Sequence, residues 1–148
     1  MSLTVRNATN AIQTLKTRTD TGELVINHDI QRLVPQTAGG YTKYRSIDVN
    51  ATGINIKASA GQIYGWFLYN QAASTRYVKF YDKTTAPTIK TNTPFLTLPI
   101  PAGGGANVAF PSGIPFSLGI GIGATTAIAD NSTANPSAND VIANVLYA

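Results

Sequence analysis

The chain contains no cysteine, which removes disulfides and cysteine-ligated metals from the ways it can be held together. It contains one histidine, His28, beside Asp29. Neighbouring residues on a strand point to opposite faces, so these two do not form the base pair of a hydrolase triad, and His28 reads as a surface or packing residue. Glu23 is the only glutamate. Glycosidases mostly work with two positioned carboxylates, and nothing selects a pair among Asp48, Asp82, Asp130 and Asp140, each in or beside a turn signal. Long apolar runs are missing too, since none approaches the roughly 18 residues that span a bilayer. The opening Met1-Ser2-Leu3-Thr4-Val5-Arg6 lacks a charged segment followed by an apolar one, so no signal peptide is expected. These absences favour a protein that is not an enzyme and not in a membrane.

Charge is scarce as well. Charged residues make up 12% of the 148, against roughly 25% in ordinary soluble domains. Little electrostatic repulsion keeps copies of such a surface apart. All 11 Lys and Arg lie before residue 91, with five of the seven acids, so that part carries +6 and the remainder −2. The cations stand singly (Lys43, Arg45, Lys57, Arg76, Lys79) and form no run, which argues for a solvated face and against a nucleic-acid partner. No zinc spacing exists, and Gly119-Ile120-Gly121-Ile122-Gly123 lacks the strand-turn-helix context of a dinucleotide site. Oxygen ligands for calcium cluster at Asp130-Asn131-Ser132-Thr133 and Asn139-Asp140, but these residue types favour plain turns. Neither a cofactor nor a metal is expected. The triplets at Asn7, Asn50 and Asn131 are chance matches in a Thr- and Asn-rich chain.

What is present is strand after strand. Residues 1–40 read as an extended arm and linker, with one hairpin at Asp20-Thr21-Gly22 and apolar points at Leu15, Val25 and Ile26. From 41 to 148 the chain reads as one β domain. Strands are expected over 41–49, 53–58, 62–69, 75–81, 95–100 and 107–110, then 114–123, 125–129 and 140–147. Gln62 to Tyr69 is nearly all apolar, as in a strand covered on both faces. Residues 114–123 alternate, with Ile114, Phe116, Leu118, Ile120 and Ile122 on one side and small residues on the other. Pro111-Ser112-Gly113 reads as a turn before it. About eight or nine closely spaced strands indicate a β-sandwich or barrel. Six aromatics, Tyr64, Trp66, Tyr69, Tyr77, Phe80 and Tyr81, fall on two strands read as neighbours. Such a face suits a core plus a subunit interface, or a platform on which a sugar ring stacks; the first needs no ligand.

The block from Gln62 to Tyr81 resembles a motif of tailed-bacteriophage virion proteins, in which a Gly- and aromatic-rich strand runs through Asn and small residues into an Arg-Tyr-Val-Lys strand. Thr93-Pro94-Phe95-Leu96, Val108 to Phe116, Thr125-Thr126, Asn139-Asp140-Val141 and Tyr147 follow in the matching order. The resemblance covers roughly 41–148. It implies an all-β, jelly-roll-like β-sandwich with an extended N-terminal arm. It further implies a structural role on the virion, as a capsid decoration (cement) protein or a tail or fibre component. Implied partners are copies of itself, as a homotrimer, and the major capsid protein or another virion protein; a glycan is the alternative. The candidate interface residues are Leu15, Val25, Ile26, Tyr64, Trp66, Tyr69, Tyr77 and Tyr81, and no catalytic residue is carried over.

Overall fold

The computed structural model describes residues 40–148 in full, together with the backbone of two strands, Leu3–Arg6 (β1) and Ile12–Leu15 (β2). The chain divides into two compact units, Met1–Thr37 and Ala38–Ala148. In the first, β1 and β2 pair antiparallel, with Leu3 opposite Leu15. The turn expected at Asp20-Thr21-Gly22, with Val25 and Ile26 beyond it, lies outside the described residues.

The second unit is all β. Its strands are β3 (Thr42–Ser46), β4 (Ile54–Lys57), β5 (Gly61–Asn70), β6 (Arg76–Asp82), β7 (Leu96–Ile100), β8 (Gly105–Phe116), β9 (Ile120–Thr125) and β10 (Val141–Tyr147). They form two antiparallel four-stranded sheets, in the orders β3-β10-β5-β8 and β4-β9-β6-β7. The hydrogen-bonded pairs nest: β6 with β7, β5 with β8, β4 with β9 and β3 with β10. A long hairpin folded over on itself gives this nesting, and successive strands β3 to β6 therefore alternate between sheets. That is a jelly-roll sandwich.

Alternation along each strand makes the core. Trp66 and Leu68 of β5, Val78 and Phe80 of β6, Ile120 and Ile122 of β9, and Val141, Ala143 and Val145 of β10 are buried between the sheets with Ile63, Ile100 and Phe116. The Trp66 ring stacks on Phe80 at 5.3 Å and meets Phe110 edge-on at 5.1 Å. Aromatic pairs at these separations add about 1 kcal/mol each beyond the area they bury.

Three strand expectations are corrected. Residues 114–123 are not one strand: the chain leaves the first sheet after Phe116 and enters the second at Ile120, turning over Ser117–Gly119 with Leu118 56% exposed. Pro111-Ser112-Gly113 does not reverse the chain but sits inside β8 as a bulge. Ile63 pairs with Ile114 and Gly65 with Ala109, so Tyr64 faces the surplus residues, and Gly113 takes a left-handed φ of 72°. The stretch 125–129 is not a strand beyond Thr125; Thr125 Oγ1 donates to the Ala127 carbonyl and starts a loop.

Side chains lock the loops at one end of the sandwich. Asn70 Nδ2 donates to the carbonyls of Ser74, Ile100 and Pro101, while its Oδ1 accepts from the Ala72 N–H. Asp140 pairs with Arg76 at 2.8 Å and accepts the Ser137 N–H. At the other end, Asp82 takes three backbone donors, from Ser117 (3.0 Å), Leu118 (2.7 Å) and Gly119 (3.1 Å). That carboxylate holds the corner where the chain changes sheets.

Candidate interaction surface

Each sheet has an inner face on the core and an outer face, and the two outer faces differ. On β6 the outward residues are Tyr77, Lys79 and Tyr81, and Lys79 and Tyr81 are both fully buried. Two of the chain's own loops cover them. Pro87 and Ile89, from the loop between β6 and β7, seat on Gly121 and Gly123 of β9. A Cβ at Gly121 would stand 2.9 Å from the Pro87 ring, and one at Gly123 would stand 2.4 Å from Ile89 Cδ1. The glycines expected to admit a close neighbour therefore admit this loop. Asn92 Oδ1 ties it, accepting from Thr88 N (2.8 Å) and Lys83 Nζ (3.1 Å). The second loop, between β9 and β10, is anchored by Lys79 Nζ, which donates to the Ala129 carbonyl at 2.6 Å.

Burial has electrostatic consequences on this covered face. Desolvation lowers the Lys79 pKa, against an opposing pull from Asp130. Desolvation also pushes the Tyr81 phenol up to about 12, with Asp130 adding to the shift. Tyr81 Oη is buried without a hydrogen-bond partner among the described residues. At the corner, burial pushes the Asp82 carboxyl up, but the N–H donors of Leu118, Gly119 and Ser117 outweigh it and hold the pKa below the ordinary value.

Among the described residues, the outer face of the β3-β10-β5-β8 sheet has no such cover. Phe67 is 51% and Tyr69 44% exposed on β5. Asn144 lies opposite Phe67 and Ile142 opposite Tyr69 on β10, with Leu146 next to Gly65. On β8 the outward residues are small: Gly105, Asn107 and Ala109. On β3, at the other margin, Lys43 and Arg45 point outward, because the intervening Tyr44 packs on the core. The result is a flat apolar strip with two cations along one margin and no acid. The expectation that β5 is covered on both faces is thus met on one side only within this unit.

Strand edges offer less. Pro99 lies in edge strand β7, and Pro111 and Pro115 lie with the bulge in edge strand β8. Edge strand β4 has four residues and a register shift beside Lys57. Prolines, bulges and short strands are what hinder edge-to-edge pairing, so these three edges are poor routes to association.

The expected interface residues scatter. β5 and β6 are in different sheets, so the six aromatics do not make one face. Trp66, 5% exposed, is core, and Tyr81 lies under the loops of the opposite side, so neither presents a surface to a partner. Tyr77 is half-buried beside Tyr81 on that opposite side, and Tyr64, half-buried, stacks on Tyr41 at 4.5 Å. Of the described members of the set, Tyr69 alone is exposed on the open strip. Leu15 falls on β2, and Val25 and Ile26 lie outside the described residues. Phe67, Ile142 and Leu146 also face the strip and were not singled out; for Phe67 the signal was β5 itself, whose outward Phe67 and Tyr69 are apolar like the inward Trp66 and Leu68.

Among the described residues no three His, Asp or Glu side chains gather to hold a metal. The Asp140 carboxylate, weighed above as a calcium ligand, is taken up by Arg76 and Ser137. Three of the four described aspartates are used structurally: Asp48 accepts the Asn139 N–H at 3.1 Å, Asp82 caps the corner and Asp140 is ion-paired. No family model matches this chain, and neither a curated protein nor a solved structure matches it.

Proposed function

We propose that this chain is a structural protein of a phage particle, in the first place a capsid decoration protein that trimerises, binds the major capsid protein at the shell surface and stabilises the shell. The observation that carries the reading is the open apolar strip on one sheet of a jelly roll, with Phe67 51% exposed. Burying such a strip against protein returns roughly 25 cal/mol per Å2. Weak contacts of this size add up when they repeat over a lattice. The described carboxylates that accept hydrogen bonds serve the fold, which suits assembly better than catalysis.

Particles purified on a density gradient from the source of this sequence should carry the chain at the copy number of a repeating shell. Shells that lack it should open at a lower temperature. Purified particles without the chain reject the reading. In solution, light scattering should return three times the 15.6 kDa of one chain. Removing residues 1–40 should abolish particle binding while the β domain keeps its melting transition; undiminished binding removes the anchoring role of that segment.

A second reading is supported by the exposed ring of Tyr41, 56% accessible and stacked on Tyr64. An aromatic platform of this kind suits sugar stacking in a tail- or fibre-associated receptor-binding module. Loss of glycan-array binding in Tyr41→Ala, with the fold intact, would favour it.

A further inference from the structure

The open strip has a complement elsewhere on the same molecule. The loop between β9 and β10 projects Ile128, at 64% the most exposed large apolar side chain described, and two residues on stands the exposed Asp130. Asp130 is the one described carboxylate that accepts no hydrogen bond from the described residues, whereas Asp48, Asp82 and Asp140 are all engaged. The strip offers the opposite: an apolar centre at Phe67, Tyr69 and Ile142, with Lys43 and Arg45 along its margin. The loop is also rigidly presented. Lys79 Nζ grips the Ala129 carbonyl between Ile128 and Asp130, Ser132 N donates to that same carbonyl at 2.9 Å, and Thr126 N donates to Ala134 O at 2.8 Å. The hold that covers the β6 face therefore also fixes an exposed apolar tip. It is what a preorganised knob requires, because ordering costs are met before association.

We propose that the occupant of the strip is a second copy of this chain, bound head to tail. Ile128 of one copy seats on the Phe67–Tyr69 surface of the next, and its Asp130 meets Lys43 and Arg45 there. The proposal deepens the assembly reading above but does not depend on a phage particle, because the contact belongs to the chain in solution. Two different patches are joined, so the contact is heterologous and propagates to a ring where the rotation closes. An isologous pairing of two strips gives the loop no part, and strips crossed with β3 over β3 set the cations against each other. Lys79 is a positioning residue here and touches no partner.

A mixing experiment tests this. The full chain is compared by sedimentation equilibrium with a strip variant, Phe67→Glu, and a loop variant, Ile128→Glu with Asp130→Lys; all three substitutions are at exposed positions, and melting equal to that of the full chain at dilute, monomeric concentration shows that the fold survives. Each variant alone should sediment as one chain. Mixed in equal amounts they should form a 1:1 complex of twice the single-chain mass and no larger species, because one intact strip and one intact loop remain between them. The complex should weaken at least tenfold as salt rises from low to physiological strength, as expected of an exposed charge contact. A monomeric full chain, a loop variant that still assembles like the full chain, or a mixture that stays monomeric overturns the proposal. Presence or absence of the chain on particles is a separate observation, so failure here leaves the particle reading to its own test.

Discussion

The two outer sheet faces of this domain start from comparable strands and end differently. On the β4-β9-β6-β7 sheet, glycines on β9 remove side chains and the chain's own loops take their place, to the point that a lysine and a tyrosine are buried on what is formally an exterior. On the β3-β10-β5-β8 sheet the same position is left open over phenylalanine and tyrosine. One face is covered by the chain's own loops, and over the other the described residues supply no cover. That asymmetry assigns different consequences to substitution on the two sides.

The largest effect is expected where the chain crosses between the sheets. A Cβ at Gly119 would stand 2.3 Å from the Lys83 carbonyl oxygen and 2.7 Å from that of Lys57, both backbone atoms that cannot rotate away. Gly119→Ala should therefore cost about 3 kcal/mol, read as a fall in the urea midpoint at unchanged m-value. Ala109→Val, on the open face, should leave the midpoint in place. Equal losses at the two positions would mean that the corner between the sheets is packed no more tightly than the open face.

Next comes alkaline pH. The Tyr81 pKa of about 12 lies above its ordinary value of 10.0, so the folded state keeps a proton that the unfolded state releases between these values. The stability tied to the neutral phenol is complete below pH 10 and is lost as pH rises towards 12, by about 2 kcal/mol. Lys79 has the opposite sign. Its folded pKa is lowered, so the unfolded state binds more protons and stability rises with pH up to the unfolded lysine value. Tyr81→Phe should remove this share of the alkaline fall, leaving that of Tyr44, whose pKa burial also raises, and, by removing a buried hydroxyl without a partner among the described residues, gain about 1 kcal/mol near neutrality. A destabilised Tyr81→Phe would mean that the hydroxyl has found a partner.

Smaller again is the acid-side effect at the corner. The Asp82 pKa is depressed, so its contribution is present above the unfolded value near 3.9 and is lost as pH falls through the folded one. Asp82→Asn should cost about 1 kcal/mol at neutral pH. The difference from the native chain in a melting-temperature series should shrink as pH drops below that range. A constant difference would mean that the three N–H bonds do not depend on the charge.

How much of this was legible follows from the period of a strand. The apolar run at 62–69 and the strand expected at 140–147 located β5 and β10, and the density of strands with turn signals gave the sandwich. Alternation failed at 114–123, because a chain that turns a corner between sheets keeps sending every second residue to the shared core. Phe116 and Ile120 are both buried on either side of an exposed Leu118, and period alone cannot tell that from one strand. The aromatic block misled for a related reason. Consecutive strands looked like neighbours, whereas the nested pairing puts β5 and β6 in opposite sheets. The hold of Asp82 on Ser117–Gly119 and of Lys79 on Ala129 joins residues far apart in sequence, and no local pattern announces either.

The smallest stability effect is the most diagnostic of the open face. Phe67 is half exposed, with Asn144 and Asn107 opposite it on the neighbouring strands, so its ring buries only about half of its surface within one copy. Phe67→Ser should cost dilute, monomeric chain no more than about 1 kcal/mol. At high concentration, where copies associate, the native chain should gain melting temperature by mass action and the variant should not. The comparison thus separates two reasons for placing phenylalanine on a sheet exterior. A loss that is the same at every concentration would mean that Phe67 stabilises its own sheet through cross-strand contacts, and the open face would then need no partner. A loss that appears only as concentration rises means that the cover missing from this face is supplied by another molecule.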